Sequence, residues 1–281
     1  MKKICLIFIA FLLLFSLVAC GSKPKEVEVP KEVAEFFTNR KGKENAQILV
    51  DALVTDVEQT SAGPSPATIE KYVAFGNGFM MVIDSDYGFA EDSCISFCKG
   101  DYTDDPKVAV YKTMGSSKSS SQIDQLEEAN KIVIYYIGTG LLESGESYSL
   151  VYRKGDDVSV TSWKMDIKGE YYTAEPEFPS HGNICVSPIG VSTDIYLVGD
   201  VSMEFPRINV LSDKKDVLWT CDLTDFDYEQ GELLGDPYIR INALPNKGVD
   251  ANAIVNLTGA SEITIFDRSF KLEKVSAPIS D

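Results

Sequence analysis

Few residues in this chain of 281 are of types that do chemistry. There is one histidine, His181, so two-histidine acid–base mechanisms and histidine-rich metal sites lack their groups. It lies in Pro179-Ser180-His181-Gly182-Asn183, whose composition is that of a solvated turn. Carboxylates cluster twice, at Asp101, Asp104 and Asp105 and at Asp222, Asp225, Asp227 and Glu229. The second group offers the oxygen atoms that a calcium ion takes. With Asp225 as position one, however, Gly231 falls one place later than a helix-loop-helix calcium loop requires. Both groups therefore read as loop acidity, and no metal or other cofactor is expected. No Gly-x-Ser-x-Gly elbow, phosphate-cradling glycine loop or His-Glu-x-x-His helix occurs.

The six cysteines carry more information. Cys5 lies in an apolar stretch from Ile4 to Ala19, broken only by Ser16 and preceded by Lys2 and Lys3. The stretch is short of the roughly 20 apolar residues that a permanent membrane helix needs. It has the charged start and apolar centre of a secretory signal. It closes on Leu17-Val18-Ala19-Cys20-Gly21, which resembles the lipobox of bacterial lipoproteins. That resemblance implies a signal peptide over residues 1–19, cleavage before Cys20 and lipidation of the Cys20 thiol. It also implies an extracytoplasmic protein held on the outer face of a membrane. Each buried acyl methylene is worth about 0.8 kcal/mol, so two chains hold firmly where one does not.

Outside a membrane, Cys94, Cys98, Cys185 and Cys221 could form two bridges, with three connectivities open. If Cys94 to Cys98 is a strand, its ends are about 13 Å apart, too far for a bridge. None of the four has the paired spacing of a zinc site. Cys221 ends the run Val217-Leu218-Trp219-Thr220-Cys221. Trp219 and Cys221, two apart in a strand, share a face, and the indole marks it as the core side. A thiol there has a raised pKa and is inert. Cys221 is therefore expected to be structural, either packed or bridged to Cys185 if their strands face each other. The run is also similar to the strand-end motif of sortases, Thr-Leu-x-Thr-Cys, matching Leu-x-Thr-Cys but not the first threonine. That resemblance would make Cys221 a transpeptidation nucleophile working with His181, 40 residues before it, and Arg240, 19 after it. Those spacings fit sortases poorly, and no catalytic residue is assigned.

The elements that must position these residues are mostly β. Residues 20–45 read as the lipidated cysteine and a tether, because Lys23-Pro24-Lys25-Glu26-Val27-Glu28-Val29-Pro30 has little to bury; residues 22–44 are expected to be mobile. Ala46 to Glu58 has both helical and alternating spacing, and the β-rich segments beyond it favour a strand. Candidate strands follow at Tyr72 to Phe75, Phe79 to Ile83, Cys94 to Cys98, Val108 to Thr113, Lys131 to Ile137, Tyr148 to Arg153 and Val158 to Met165. A serine-rich loop, Gly115 to Ser121, and a helical turn around Ile123 to Ala129 separate the fourth from the fifth. After a break at Glu175-Pro176-Glu177-Phe178-Pro179 come Ile184 to Val186, Asp194 to Val198, Arg207 to Leu211, Val217 to Cys221, Tyr238 to Ala243, Ala253 to Leu257, Ile263 to Phe266 and Lys271 to Val275. Seven or eight strands on each side is the count of an Ig-like β-sandwich, which predicts one such domain over residues 46–175 and a second over 176–281.

Leu142-Glu143-Ser144-Gly145-Glu146-Ser147-Tyr148-Ser149-Leu150-Val151-Tyr152 resembles the corner entering the sixth strand of fibronectin type III domains, with Ser144 in place of the proline. The resemblance implies that the Tyr148 hydroxyl bonds back to the backbone of the preceding turn. Removing Lys2 and Lys3 with the signal leaves 24 basic against 43 acidic residues, a net charge of −19. A chain so acidic is a poor phosphate-backbone binder, and no nucleic-acid partner is expected. The reading is a membrane-anchored, non-catalytic binding or interaction module that meets a protein or envelope polymer through loops or sheet edges. Its rival is a carbohydrate or small-ligand receptor. That needs an exposed aromatic platform, for which Tyr87, Tyr102, Tyr171, Tyr172 and Tyr228 are candidates.

Overall fold

The computed structural model describes residues 27–38, 40–85, 93–100, 102, 112–113, 119–126, 130–177, 180–202, 207–222, 228–241 and 253–276. The lipobox with Cys20, Tyr87, the Asp101, Asp104 and Asp105 cluster, residues 114–118 and Asp225 and Asp227 lie outside them. The protein is mostly β, in four small sheets whose neighbouring strands are all antiparallel.

Strands are numbered in chain order. The first sheet runs β1 (Leu53–Val54), β3 (Thr68–Phe75), β4 (Gly78–Asp84), β8 (Lys131–Gly138), β7 (Ser119–Gln125), and the second β2 (Gln59–Ala62), β10 (Asp157–Lys164), β9 (Ser147–Lys154), β5 (Ser93–Lys99), β6 (Lys112–Thr113). Alternate residues of the two sheets share one apolar cluster: Tyr72, Phe79, Met81 and Tyr136 from the first, Phe97, Tyr148, Leu150 and Trp163 from the second. The third sheet runs β16 (Tyr228–Leu233), β17 (Asp236–Ile241), β13 (Gly190–Val198), β12 (His181–Ser187), β11 (Tyr171–Ala174), β20 (Glu273–Val275). The fourth runs β15 (Val217–Asp222), β14 (Arg207–Ser212), β18 (Ala260–Ile265), β19 (Arg268–Lys271). Ile184, Val186, Ile195 and Ile239 of the third meet Val210, Trp219, Cys221 and Ile263 of the fourth in a second cluster.

Several sequence expectations change. Ser119–Gln125, read partly as loop and partly as a helical turn, is an edge strand, because β8 supplies it a complete ladder of partners from Gly138 to Ile132. Ala253 to Leu257, read as a strand, is irregular. Tyr171–Ala174 falls within residues 46–175 but pairs with β12 and β20, so strand pairing changes over between Lys164 and Tyr171. The segment from Ala46 is a short helix, α1 (Ala46–Asp51), followed by the two residues of β1. Its helical spacing prevails because Ala46 and Leu49 find an apolar surface on one side.

That surface is the outer face of the first sheet, and it corrects the tether. Lys31–Phe37 forms a 3-10 helix with Val33, Phe36 and Phe37 buried. They join Leu49, Val73, Phe75, Met80, Tyr135, Ile189 and Ile254 in a third apolar cluster. Proline and lysine dominate as far as Lys31, but the three apolar residues that follow bury enough surface to offset ordering. Arg40 is buried with its guanidinium over the Tyr135 ring, 4.1 Å from the centroid. Loss of hydration lowers its pKa from the ordinary arginine value, against the raising effects of Tyr135 and Asp124.

The same cluster joins the two pairs of sheets. The Tyr135 hydroxyl donates to the Ile189 carbonyl at 2.5 Å, and Nδ2 of fully buried Asn77 donates to the carbonyls of Gly190 at 3.1 Å and Cys185 at 3.4 Å. The backbone N–H of Ile254 donates to the Lys41 carbonyl at 3.0 Å. Three elements remote in sequence therefore close on one another through packed side chains and direct hydrogen bonds.

Candidate functional site

The site is built from strands whose inner residues are fixed by the second cluster. In β13, Ile195 and Leu197 point into it, and in β17 Ile239 and Ile241 do so. The period of two then places Asp194 and Tyr196, and Tyr238 and Arg240, on the opposite face of the third sheet. Register sets these side by side: Tyr196 opposes Arg240, Arg240 opposes Glu229 of β16, and Val198 opposes Tyr238. In the other direction Asn183 of β12 opposes Asp194, and His181 opposes Tyr196.

The side chains form a connected group. Arg240 Nη2 donates to Asp194 Oδ1 at 3.2 Å, and Nη1 lies 4.0 Å from Glu229 Oε2. The guanidinium sits over the Tyr196 ring at 5.0 Å from its centroid. Tyr196 and Tyr238 have ring centroids 5.5 Å apart and planes tilted by 50°. The Tyr238 hydroxyl donates to Glu229 Oε1 at 3.4 Å. Reduced hydration and then the charge of Glu229 push that phenol above its ordinary pKa. Opposite Tyr238 stands Gly231, and a β-carbon there would meet Cε1 of the ring at 2.7 Å, so the hydroxyl end of the half-buried Tyr238 side chain crosses over the glycine. Among the described residues, one end of this face is left uncovered. The other, around Cys185 and the β12–β13 turn, is closed by Asn77 of the β3–β4 turn and Tyr135 of β8.

The residues singled out in the sequence lie elsewhere. His181 is the first residue of β12 instead of a turn, because the neighbouring Gly182, at φ +123°, lets the chain pass close to the Asp194 backbone. Its side chain lies outside the described residues. Cys94 and Cys98 are both in β5, Cys94 exposed and Cys98 buried. Cys185 and Cys221 are buried and in no disulfide. Cys221 faces the cluster between the third and fourth sheets, whereas Ile184 and Val186 face that cluster and Cys185 faces away from it. The two thiols are thus on opposite sides of the third sheet, which separates the pair the sequence allowed. Burial pushes the Cys185 thiol up. The same geometry separates Cys221 from Arg240, which is on the open face, and so breaks the constellation that the sortase resemblance requires.

The second acidic group divides likewise. Asp222 holds Arg207 at 2.6 Å in the fourth sheet, and Glu229 belongs to the third. Among the described residues no cluster of three or more His, Cys, Asp or Glu is placed to hold a metal ion. Of the tyrosines proposed for a platform, Tyr172 is in the core with its hydroxyl donating to the Leu257 carbonyl at 3.0 Å, and the Tyr171 ring packs on Gly76. Tyr102 accepts from Arg153 Nη2 at 2.8 Å, and the Tyr228 side chain lies outside the described residues. Two clefts, of about 500 and 670 Å³, open beside the third sheet. In the first, Glu170 meets Lys274 at 2.6 Å, Lys168 lies 3.7 Å from Asp166, and Asp51 accepts from Gln47 Nε2 at 2.8 Å. No protein-family model, curated protein or solved structure matches this chain.

Proposed function

We propose that this chain is a lipid-anchored, extracytoplasmic, non-catalytic binding protein with two Ig-like β-sandwich domains, which meets its partner on the open end of the third sheet. The observation that carries the reading is the connected surface group Asp194, Tyr196, Arg240, Tyr238 and Glu229, whose carboxylates are engaged by Arg240 and the Tyr238 hydroxyl beside two paired aromatic rings, an arrangement for contact. Interfaces concentrate their energy in tyrosine and arginine held rigidly by neighbours, as here. The sandwich assignment is supported by the sharing of one apolar cluster between the first and second sheets and another between the third and fourth. It is supported also by the Glu143 N–H, which donates to the Tyr148 hydroxyl at 3.0 Å, the bond a fibronectin-like corner requires. The anchor rests on the lipobox ending at Cys20.

Two measurements test this reading. Wild-type protein is expected to take up labelled fatty acid and fractionate with membranes, and Cys20→Ala to be unlabelled and soluble; label on the variant would remove the anchor. A photo-crosslinking residue at exposed Asn183, beside Asp194, is expected to capture an envelope component in cells that the same residue at exposed Asn256 does not. Equal capture from both positions, or none from Asn183, would show that this face is not the contact surface.

A further inference from the structure

The geometry points to a neutral glycan as the ligand of this face, an inference that rests on the face being the contact surface. The open end offers two neighbouring half-exposed aromatic rings, Tyr238 crossing over Gly231 and Tyr196 tilted by 50° beside it. A sugar ring has an apolar face of C–H groups and an edge of hydroxyls. Its C–H face matches the electron-rich face of an aromatic ring, and its hydroxyls match fixed acceptors and donors at the ring's border. Asp194, Glu229 and Arg240 stand at that border, with Asn183 opposite Asp194 on the next strand.

Charge decides between ligand classes. Asp194 and Glu229 outnumber Arg240, on a chain whose net charge is −17, so anionic polymers are repelled. A basic peptide would place its cation over a tyrosine face or against these carboxylates. The Arg240 guanidinium already occupies the position over Tyr196 and lies between both carboxylates. The carboxylates are therefore largely compensated, yet each keeps lone pairs that a neutral hydroxyl can use. Arg240 holds them in place, so little side-chain entropy is lost when a ligand binds.

The test uses the purified full-length chain in detergent. Retention is measured on insoluble cellulose, chitin and starch, and affinity on soluble oligosaccharides of the retained class. At least one neutral polysaccharide is expected to hold the protein, with little change between 0.05 and 1 M salt, those concentrations being chosen to span roughly 14 to 3 Å of screening length. Tyr238→Ala is expected to lower affinity about tenfold or more, whereas Tyr238→Phe, which keeps the ring, stays within about threefold of wild type. Gly231→Ala, which lifts the ring from the sheet without removing it, should weaken binding as Tyr238→Ala does while thermal melting stays at the wild-type value. No retention on any of the three polymers, or retention unchanged in the Tyr196→Ala/Tyr238→Ala double variant, overturns the inference. If retention fails while a crosslinker at Asn183 still captures a protein, the ligand class is wrong and the contact face stands. Retention that collapses in high salt would show that charge and not the aromatic face holds the polymer, and would also overturn the inference.

Discussion

Replacing Phe36 by alanine is expected to lower the unfolding free energy by about 3–5 kcal/mol, the range for truncating a buried phenylalanine. Phe36 is completely buried among Leu49, Phe75, Met80, Tyr135 and Ile254, so the space it leaves is walled by the first sheet, α1 and the segment that approaches from the third and fourth sheets. A chain of this size loses about 2–4 °C of melting temperature per kcal/mol, so a fall of roughly 6–20 °C is expected in a thermal scan. Urea titration of the two proteins gives the free-energy difference directly. A loss below about 1 kcal/mol, the level of an ordinary surface change, would mean that residues 31–37 do not belong to the core.

Gly42→Ala is the second substitution with a large expected effect, about 2–5 kcal/mol. Gly42 has φ +84°, a conformation that costs an L-residue about 1–2 kcal/mol. A β-carbon there would also run into the backbone of Ile254, which the Lys41 carbonyl and the Asn45 side chain hold in place through bonds of 3.0 and 2.8 Å. Crowding of that kind adds about 1–3 kcal/mol. Gly145→Ala separates the two effects, because Gly145 shares φ +84° but has nothing near its β-carbon position. It should cost only the conformational part. Hydrogen exchange at the Ile254 amide should accelerate in Gly42→Ala and not in Gly145→Ala. Equal destabilisation by the two substitutions would mean that the segment around Gly42 is not fastened to Ile254.

These two positions also mark where sequence reading stops. Val33, Phe36 and Phe37 are visible as apolar residues, but after a proline-broken, charged run they look like part of a spacer. Nothing local distinguishes an apolar residue that will find a partner from one that will not. What buries them is the outer face of a sheet assembled from β3, β4, β8 and β7, and that face is apolar on both sides: Val73, Phe75, Met80 and Val82 outward, Tyr72, Ala74, Phe79 and Met81 inward. Such a run of buried residues is the mark of a strand covered on both sides. It could have signalled that something packs there, without saying what.

The sequence by itself determined the strands with clear alternation and the side of β15 on which Trp219 and Cys221 lie, and a family resemblance implied that the Tyr148 hydroxyl bonds back to the preceding turn, where it accepts from the Glu143 N–H. These depend on period-two geometry or on contacts within a few residues, which local order fixes. The faces of β13 and β17 were legible in the same way, since Asp194-Ile195-Tyr196-Leu197 and Tyr238-Ile239-Arg240-Ile241 both alternate. That the two strands are neighbours, and that Tyr196 stands opposite Arg240 and Arg240 opposite Glu229, was decided only by the tertiary structure. Cross-strand contacts are set by register, and register follows from the turns and from burying a whole face at once. The spacing of residues along one chain does not contain it.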